Sequence, residues 1–90
     1  MATSFVRHKV SDYSAWRQVY DSVADVQREG GVVEAAVYRS VDDPNDVLVV
    51  QRFATTDDAH SFMASPALRD AMGKAGVDPS SLRIELYEED

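Results

Sequence analysis

Two hydrophobic periods follow one another in the first third of the chain. Between residues 3 and 10, the alternate positions Val6, His8 and Val10 are less polar than the positions between them. This alternation predicts a strand with one more apolar face. From Tyr13 to about Glu29, apolar residues instead recur every three or four positions, which predicts an amphipathic helix. Its stripe consists of Trp16, Val19, Tyr20, Val23 and Val26. A glycine pair follows and predicts the end of this helix.

Residues 32–41 and 47–54 predict two further strands separated by a turn. Arg39 interrupts the more apolar set of alternate positions in the second predicted strand. The Asp-Asp-Pro-Asn-Asp sequence that follows is typical of turns, because proline fixes φ and the polar side chains bond to the local backbone. The third strand opens on an unbroken apolar run, so we expect it to be central in the sheet or covered by a partner.

The last third of the chain predicts a second helix and a fourth strand. Thr55 and Thr56 precede two aspartates, whose charges suit the positive end of a helix dipole. We expect Pro66 to break or kink this helix and Gly76 to end it. Residues 82–87 alternate between aliphatic and polar or aromatic side chains, which predicts the final strand.

The predicted order βαββαβ indicates an α+β fold. Four strands and two helices form most simply a ferredoxin-like protomer, an antiparallel four-stranded sheet with both helices on one face. We expect residues 1–90 to form one domain, because the chain is short and has no linker or repeat. The predicted helix-facing residues are Val6, His8, Val10, Leu82, Ile84 and Leu86. The opposite side, named here the open face, carries Phe5, Arg7, Lys9, Arg83, Glu85 and Tyr87.

Composition restricts the partners of such a domain. Cysteine is absent and there are only two histidines, so we expect no disulfide and no metal site. A formal charge of −7 disfavours nucleic acid and anionic membranes as partners. No apolar run approaches the roughly 18 residues of a membrane span, and no signal-peptide pattern is present, which predicts a cytoplasmic protein.

A domain of this size has a thin core, because small chains bury only about 60–70% of their unfolded surface. Such domains rely on disulfides, a metal or a partner subunit, and the first two are disfavoured here. We therefore expect a homodimer that pairs through the open face, since the apolar third strand needs a cover. The alternative is a monomer whose polar sheet face is solvated.

Residues 6–16 (VRHKVSDYSAW) resemble the opening of many dimeric α/β-barrel proteins of the antibiotic biosynthesis monooxygenase-like family. The likeness continues through DDPN at 42–45, Phe62, SPAL at 65–68 and AGV at 75–77. The resemblance implies a ferredoxin-like protomer that pairs by its sheet, with a pocket between sheet and helices. Activities known on this scaffold include cofactor-independent oxygenation of aromatic polyketides, haem degradation, isomerisation and cyclisation.

The catalytic sets of two of those activities are not reproduced. Haem-degrading relatives use Asn, Trp and His in the pocket, and polyketide oxygenases draw on Trp and Asn from the second half of the chain. Here the only asparagine, Asn45, lies in a predicted turn, and the only tryptophan, Trp16, lies on the first helix. The resemblance therefore extends to the scaffold, and fold alone does not define an activity.

Six residues are candidates for a site. His8 faces the first helix, where a neutral imidazole would accept a proton from a phenol or enol; the alternative is a core histidine hydrogen-bonded to the backbone or a tyrosine. Tyr20 would orient a substrate oxygen and Trp16 would form a wall, unless both are ordinary core. Phe62 and Met63 would add further walls, and His60 would reach the pocket mouth or lie at the boundary.

The leading functional interpretation is a cofactor-free monooxygenase with His8 as its base. It would abstract a proton from a small aromatic or enolisable ligand, and oxygen would react with the carbanion. One alternative is a non-catalytic dimeric ligand-binding or stress-response domain. Another is a cyclase or isomerase on the same scaffold. The sequence leaves open whether the chain is an enzyme.

Overall fold

A single antiparallel sheet organises the protein, whose computed structural model describes all 90 residues. Its strands are β1 (Ala2–Lys9), β2 (Val32–Arg39), β3 (Asp46–Phe53) and β4 (Arg83–Glu88), in the spatial order β2-β3-β1-β4. Every neighbouring pair is antiparallel, so the predicted ferredoxin-like α+β topology is confirmed. β3 is a central strand, as its apolar run predicts.

Each of the two predicted helical segments is divided in the structure. The first comprises α1 (Tyr13–Ser22) and α2 (Ala24–Glu29), and the second comprises α3 (Thr56–Met63) and α4 (Pro66–Lys74). Pro66 starts α4 because its fixed φ suits the first turn of a helix.

The break between α1 and α2 was not predicted, because no glycine or proline marks it. The Ser22 hydroxyl donates to the carbonyl of Val19 at 2.6 Å and competes with the helical pattern. Val23, with φ −105° and ψ 20°, then joins the two helices. The second half of the predicted helix therefore runs as a separate segment.

Polar side chains fix the starts of α1 and α3. The Asp12 carboxylate accepts a hydrogen bond from the Ser14 amide, and the Thr55 hydroxyl accepts one from the Asp58 amide, both at 3.1 Å. The Asn45 side chain accepts the Tyr13 amide at 3.1 Å. The only asparagine thus ties the β2–β3 turn to the first residue of α1.

The core lies between the sheet and the helices in two clusters. One, named here the cavity cluster, contains Val6, Val10, Trp16, Val47, Val49 and Ala75. The other, named the phenylalanine cluster, contains Ala2, Phe53, Ala59 and Phe62. Met63 packs against both clusters and marks their boundary. No helix of the structure is long and apolar enough to span a membrane.

The two faces of the sheet differ as the β1 alternation predicts. Val6, His8 and Val10 are buried beneath the helices, whereas Arg7 and Lys9 are exposed on the open face. The edge strand β4 is less covered, since Ile84 on the helix side is 47% exposed. On this edge strand, a side chain that faces the helices is therefore not necessarily buried.

Candidate functional site

A cavity of about 190 Å³ lies between the helix side of the sheet and the helices α1 and α4. Three of its 16 lining residues, His8, Gln51 and Arg69, are polar or charged, and Tyr20 is among the other 13. The apolar lining residues are Val6, Trp16, Val19, Val23, Val49, Met63, Leu68, Ala71, Met72, Ala75, Leu82 and Ile84. Such a lining suits a small, flat, largely apolar molecule that carries a few polar groups.

His8 is the buried titratable group of this cavity. Its side chain lies on β1 opposite Val47, the residue is only 3% exposed, and its ring centroid lies 5.6 Å from that of Trp16. Neither Nδ1 nor Nε2 has a hydrogen-bond partner among the protein groups. The structure therefore lacks the backbone or tyrosine bond that an ordinary core histidine would make.

The electrostatics keep the imidazole neutral. Burial lowers the pKa of His8, and the negative charge of Asp46 opposes this only in part. Asp46 lies on the open face and accepts two hydrogen bonds from Arg7, at 3.2 and 2.8 Å. That ion pair holds the pKa of Asp46 below its usual value, so its charge persists near neutral pH. A neutral imidazole has one donor and one acceptor nitrogen to offer a ligand.

An aromatic ladder on α1 forms one wall of the site. Trp16 stacks between Tyr13 and Tyr20, with ring centroids 5.7 and 5.0 Å away. Positions three, four and seven apart share a helix face, which brings these rings together. The Arg39 guanidinium lies 3.7 Å from the centroid of Tyr13, and that of Arg17 lies 5.2 Å from the centroid of Tyr20. The ladder is therefore held at both ends by cation–π contacts.

A chain of buried polar side chains ends at the hydroxyl of Tyr20. The Ser4 hydroxyl donates to Gln51 Oε1 at 3.5 Å, and Gln51 Nε2 donates to Gln27 Oε1 at 3.1 Å. The Tyr20 hydroxyl donates to the same Gln27 oxygen at 3.4 Å. Burial raises the pKa of Tyr20, so the phenol stays protonated. We name Ser4, Gln51 and Gln27 the amide relay.

The amide relay was missed by reasoning from the sequence, although one signal was visible. Gln51 shares the parity of Val47, Val49 and Phe53, so it is a polar residue on an otherwise buried apolar strand face. Gln27 lies seven residues after Tyr20, a spacing that returns to the same face of a helix. A buried polar residue on an apolar stripe needs a partner, and each of these two glutamines supplies one for the other.

The structure brings four of the six predicted site residues together around the cavity. These are His8, Trp16, Tyr20 and Met63. Phe62 lies outside the lining, with its ring centroid 5.7 Å from that of Phe53 in the phenylalanine cluster. His60 is exposed on α3 and does not line the cavity either. Consecutive helix residues point about 100° apart, which separates Phe62 from Met63.

The fold and the cavity together define a ferredoxin-like protein with a small apolar cavity between sheet and helices. Within that class the chain belongs to the antibiotic biosynthesis monooxygenase family, whose model matches residues 5–74. The matched range includes the last five residues of β1, the helices α1 to α4, β2 and β3, and the family resemblance inferred from the sequence is confirmed. A search of curated proteins found no match.

Several solved structures share this fold at low sequence identity. A Deinococcus radiodurans protein assigned to the antibiotic biosynthesis monooxygenases is 22% identical, with a TM-score of 0.78 over 100% of this chain and 93% of that one. One from Bordetella bronchiseptica is 12% identical, with a TM-score of 0.82 over 99% and 96%. SnoaB, a cofactor-independent oxygenase from Streptomyces nogalater, is 15% identical, with a TM-score of 0.81 over 99% and 92%. At these identities the likeness shows the fold alone.

Proposed function

We propose that the cavity binds a small aromatic or enolisable molecule and that His8 removes a proton from it. The observation that carries this proposal is the pair of His8 ring nitrogens, which are buried beside an apolar cavity without a protein partner. Because burial lowers the pKa of His8, the ring is in its basic form near neutral pH. No protein group competes with a ligand for these two nitrogens.

The proposed reaction needs no added reductant. His8 takes a proton from a CH₂ group next to an aromatic ring and a carbonyl, which leaves a delocalised carbanion. Oxygen forms a C–O bond at that carbon, and the resulting peroxide anion takes back the proton. Loss of water then leaves a carbonyl, so that CH₂ and O₂ become C=O and H₂O. The four electrons lost by carbon reduce both oxygen atoms. Membership of a monooxygenase family and structural similarity to a cofactor-independent oxygenase support this chemistry.

The size of the cavity restricts the substrate. An apolar protein cavity of about 150 Å³ accommodates benzene, so about 190 Å³ suits one or two fused rings. The indole of Trp16 offers a flat wall, and Met63 and Met72 offer adaptable ones. We therefore propose bicyclic phenols and ketones as the first compounds to test.

We also propose that the protein works as a homodimer paired through the open face. Phe5, Leu48 and Val50 are only half-buried there, and Tyr38 and Tyr87 are 56% exposed. The cations of this face are Arg7, Lys9, Arg52 and Arg83, and its anions are Glu34, Asp46 and Glu85. A face with mixed charges around apolar residues is self-complementary, which favours a second copy of this chain over a strongly charged partner.

Sedimentation velocity tests the dimer. Val50→Lys on the open face should convert the dimer to a monomer, because it buries an unpaired charge at the proposed interface. Ala67→Lys, an exposed position on α4, is the control and should leave the dimer intact. A wild-type protein that sediments as a monomer at tens of micromolar would contradict this part of the proposal.

The catalytic proposal is tested with 2-tetralone, a bicyclic ketone with an acidic benzylic CH₂ group. The wild-type protein should accelerate deuterium exchange at that carbon and consume oxygen, whereas His8→Leu should lose at least a hundredfold in both rates. His60→Ala, at the exposed histidine, is the matched control and should keep both rates. Exchange without oxygen uptake would support the isomerase or cyclase alternative, and binding without exchange would support the ligand-binding domain.

A further inference from the structure

The proton of the Tyr20 hydroxyl is already used in a hydrogen bond within the protein. It donates to Gln27 Oε1 at 3.4 Å, and the same oxygen accepts from Gln51 Nε2 at 3.1 Å. An amide oxygen accepts only, so neither bond can run in the opposite direction while this oxygen lies between the two donors. What Tyr20 can offer to a ligand is therefore the lone pair of its oxygen.

The relay behind Tyr20 is buried and internally satisfied. Gln27, Gln51 and Ser4 are 8%, 4% and 0% exposed, and Ser4 donates to Gln51 Oε1 at 3.5 Å. Turning one amide alone would place two oxygens or two NH₂ groups face to face, which is unfavourable in a buried site. The direction of the hydrogen bonds is consequently a property of the whole relay and not of Tyr20 alone.

Tyr20 and His8 therefore present different chemistry to the same cavity. The ring centroid of Trp16 lies 5.6 Å from that of His8 and 5.0 Å from that of Tyr20, so the rings of His8 and Tyr20 are no more than about 11 Å apart. His8 offers a donor and an acceptor, whereas Tyr20 offers an acceptor only. A bicyclic ligand has the length to place one polar group towards each of them.

We propose that Gln27 and Gln51 are positioning residues that fix Tyr20 as a hydrogen-bond acceptor, so that the cavity prefers a ligand with a donor, a hydroxyl or N–H group, at that end. This inference rests on the proposed function only in requiring that the cavity binds an aromatic molecule. It states whether the ligand supplies the donor or the acceptor of the hydrogen bond, which the position of Tyr20 in the cavity alone does not determine. A carbonyl or ether oxygen at this end would meet a lone pair and be rejected.

The test compares two probes of nearly equal shape, 2-naphthol and 2-methoxynaphthalene, by isothermal titration calorimetry. The variants compared all carry His8→Leu, which removes the imidazole as a competing partner for the probe oxygen. The quantity measured is the Kd of the ether divided by the Kd of the naphthol. Because the added methyl affects every variant alike, changes in this ratio isolate the hydrogen bond to Tyr20.

The ratio should be about five to ten times higher with the intact relay than with Tyr20→Phe or Gln27→Leu. Gln27→Glu should retain the high ratio, since a carboxylate also accepts from Tyr20 and Gln51. A merely structural role for Gln27 would change both affinities together and leave the ratio unmoved. Circular dichroism checks the fold, and Gln51→Met gives a second break in the relay if Gln27→Leu does not fold.

Two results would overturn the inference. If the ratio is the same with and without the relay, Gln27 and Gln51 do not fix Tyr20 as a hydrogen-bond acceptor. If the ether binds better with the intact relay and loses that advantage in Tyr20→Phe, the relay runs in the reverse direction and Tyr20 is a donor. Failure of both probes to bind any of the proteins, wild type included, would instead refute the proposed ligand-binding function of the cavity.

Discussion

The two halves of the core are built from similar residues but are packed differently. In the phenylalanine cluster, Phe53 and Ala59 are 0% exposed and Phe62 is 2% exposed. The cavity cluster contains the largest side chain of the core, Trp16, yet it borders a cavity of about 190 Å³. The rings of Tyr13, Trp16 and Tyr20 stack on one another along α1, and the space they border remains open. The cavity therefore reflects how side chains are arranged and not a shortage of apolar residues.

The largest expected difference between the halves concerns truncation. Phe62→Ala should lower the free energy of unfolding by about 3–5 kcal/mol, because it removes a fully buried ring from a close-packed cluster. Met63→Ala should cost about 1–2 kcal/mol, because Met63 is half-buried and already borders a void. Urea denaturation measures both values. Equal losses would show that the two clusters are packed alike.

Enlarging one alanine in each cluster should separate them further. Ala59→Leu overpacks the phenylalanine cluster and should destabilise the protein by about 1–3 kcal/mol. Ala71→Leu extends into the cavity and should change stability by less than about 1 kcal/mol while weakening 2-naphthol binding more than tenfold. Denaturation and calorimetry on the same samples test both effects. Unchanged binding in Ala71→Leu would place the ligand outside the cavity.

Two glycines provide a smaller version of the same contrast. A Cβ at Gly30 would overlap the edge of the Phe62 ring and lie 3.0 Å from the Val26 carbonyl oxygen, so Gly30→Ala should cost about 1–2 kcal/mol. A Cβ at Gly73 on α4 would meet nothing within 4 Å, so Gly73→Ala should stabilise the protein by about 0.5–1 kcal/mol. Thermal unfolding of both variants checks the opposite signs. A neutral Gly30→Ala would mean that the Phe62 ring has room to move.

Most of the fold was predictable because strand and helix periods are local properties of the sequence. The alternation around Val6 and His8 identified the buried side of β1, and the stripe through Trp16 identified the inner face of α1. The cavity was not predictable in this way. An apolar stripe has the same period whether it packs tightly or borders a void, and the separation of α1 from the sheet depends on distant contacts such as that of Asn45 with Tyr13.

The adjacent residues Phe62 and Met63 show the same limit at a finer scale. Both lie on the apolar side of α3, but Phe62 contacts Phe53 whereas Met63 reaches the cavity. The helical period predicts which face of the helix a residue lies on, but it does not predict which of the two core clusters beneath that face the residue contacts. The role of Gln51, by contrast, could have been predicted locally. Its polar side chain shares a strand face with apolar residues, which indicates a buried hydrogen-bonded site.

The smallest expected effect distinguishes the halves by pH. The cavity cluster lies against the buried titratable residue His8, whereas the phenylalanine cluster consists of alanine and phenylalanine. Burial lowers the pKa of His8 in the folded protein below its unfolded value near 6.5, so the unfolded chain binds more protons between those two values. The stabilising contribution is complete above about pH 6.5 and is lost as the pH falls through the folded pKa.

Urea denaturation between pH 7.5 and 5 measures this contribution. The free energy of unfolding should fall with a slope of up to about 1.4 kcal/mol per pH unit below pH 6.5, the limit for one proton. His8→Leu should flatten this part of the profile, and His60→Ala should leave it in place because His60 is exposed. Asp46, whose pKa the Arg7 guanidinium holds below its usual value, titrates below this window. A slope that survives in His8→Leu would show that His8 binds protons equally in the folded and unfolded protein, so that burial does not hold the imidazole in its neutral form.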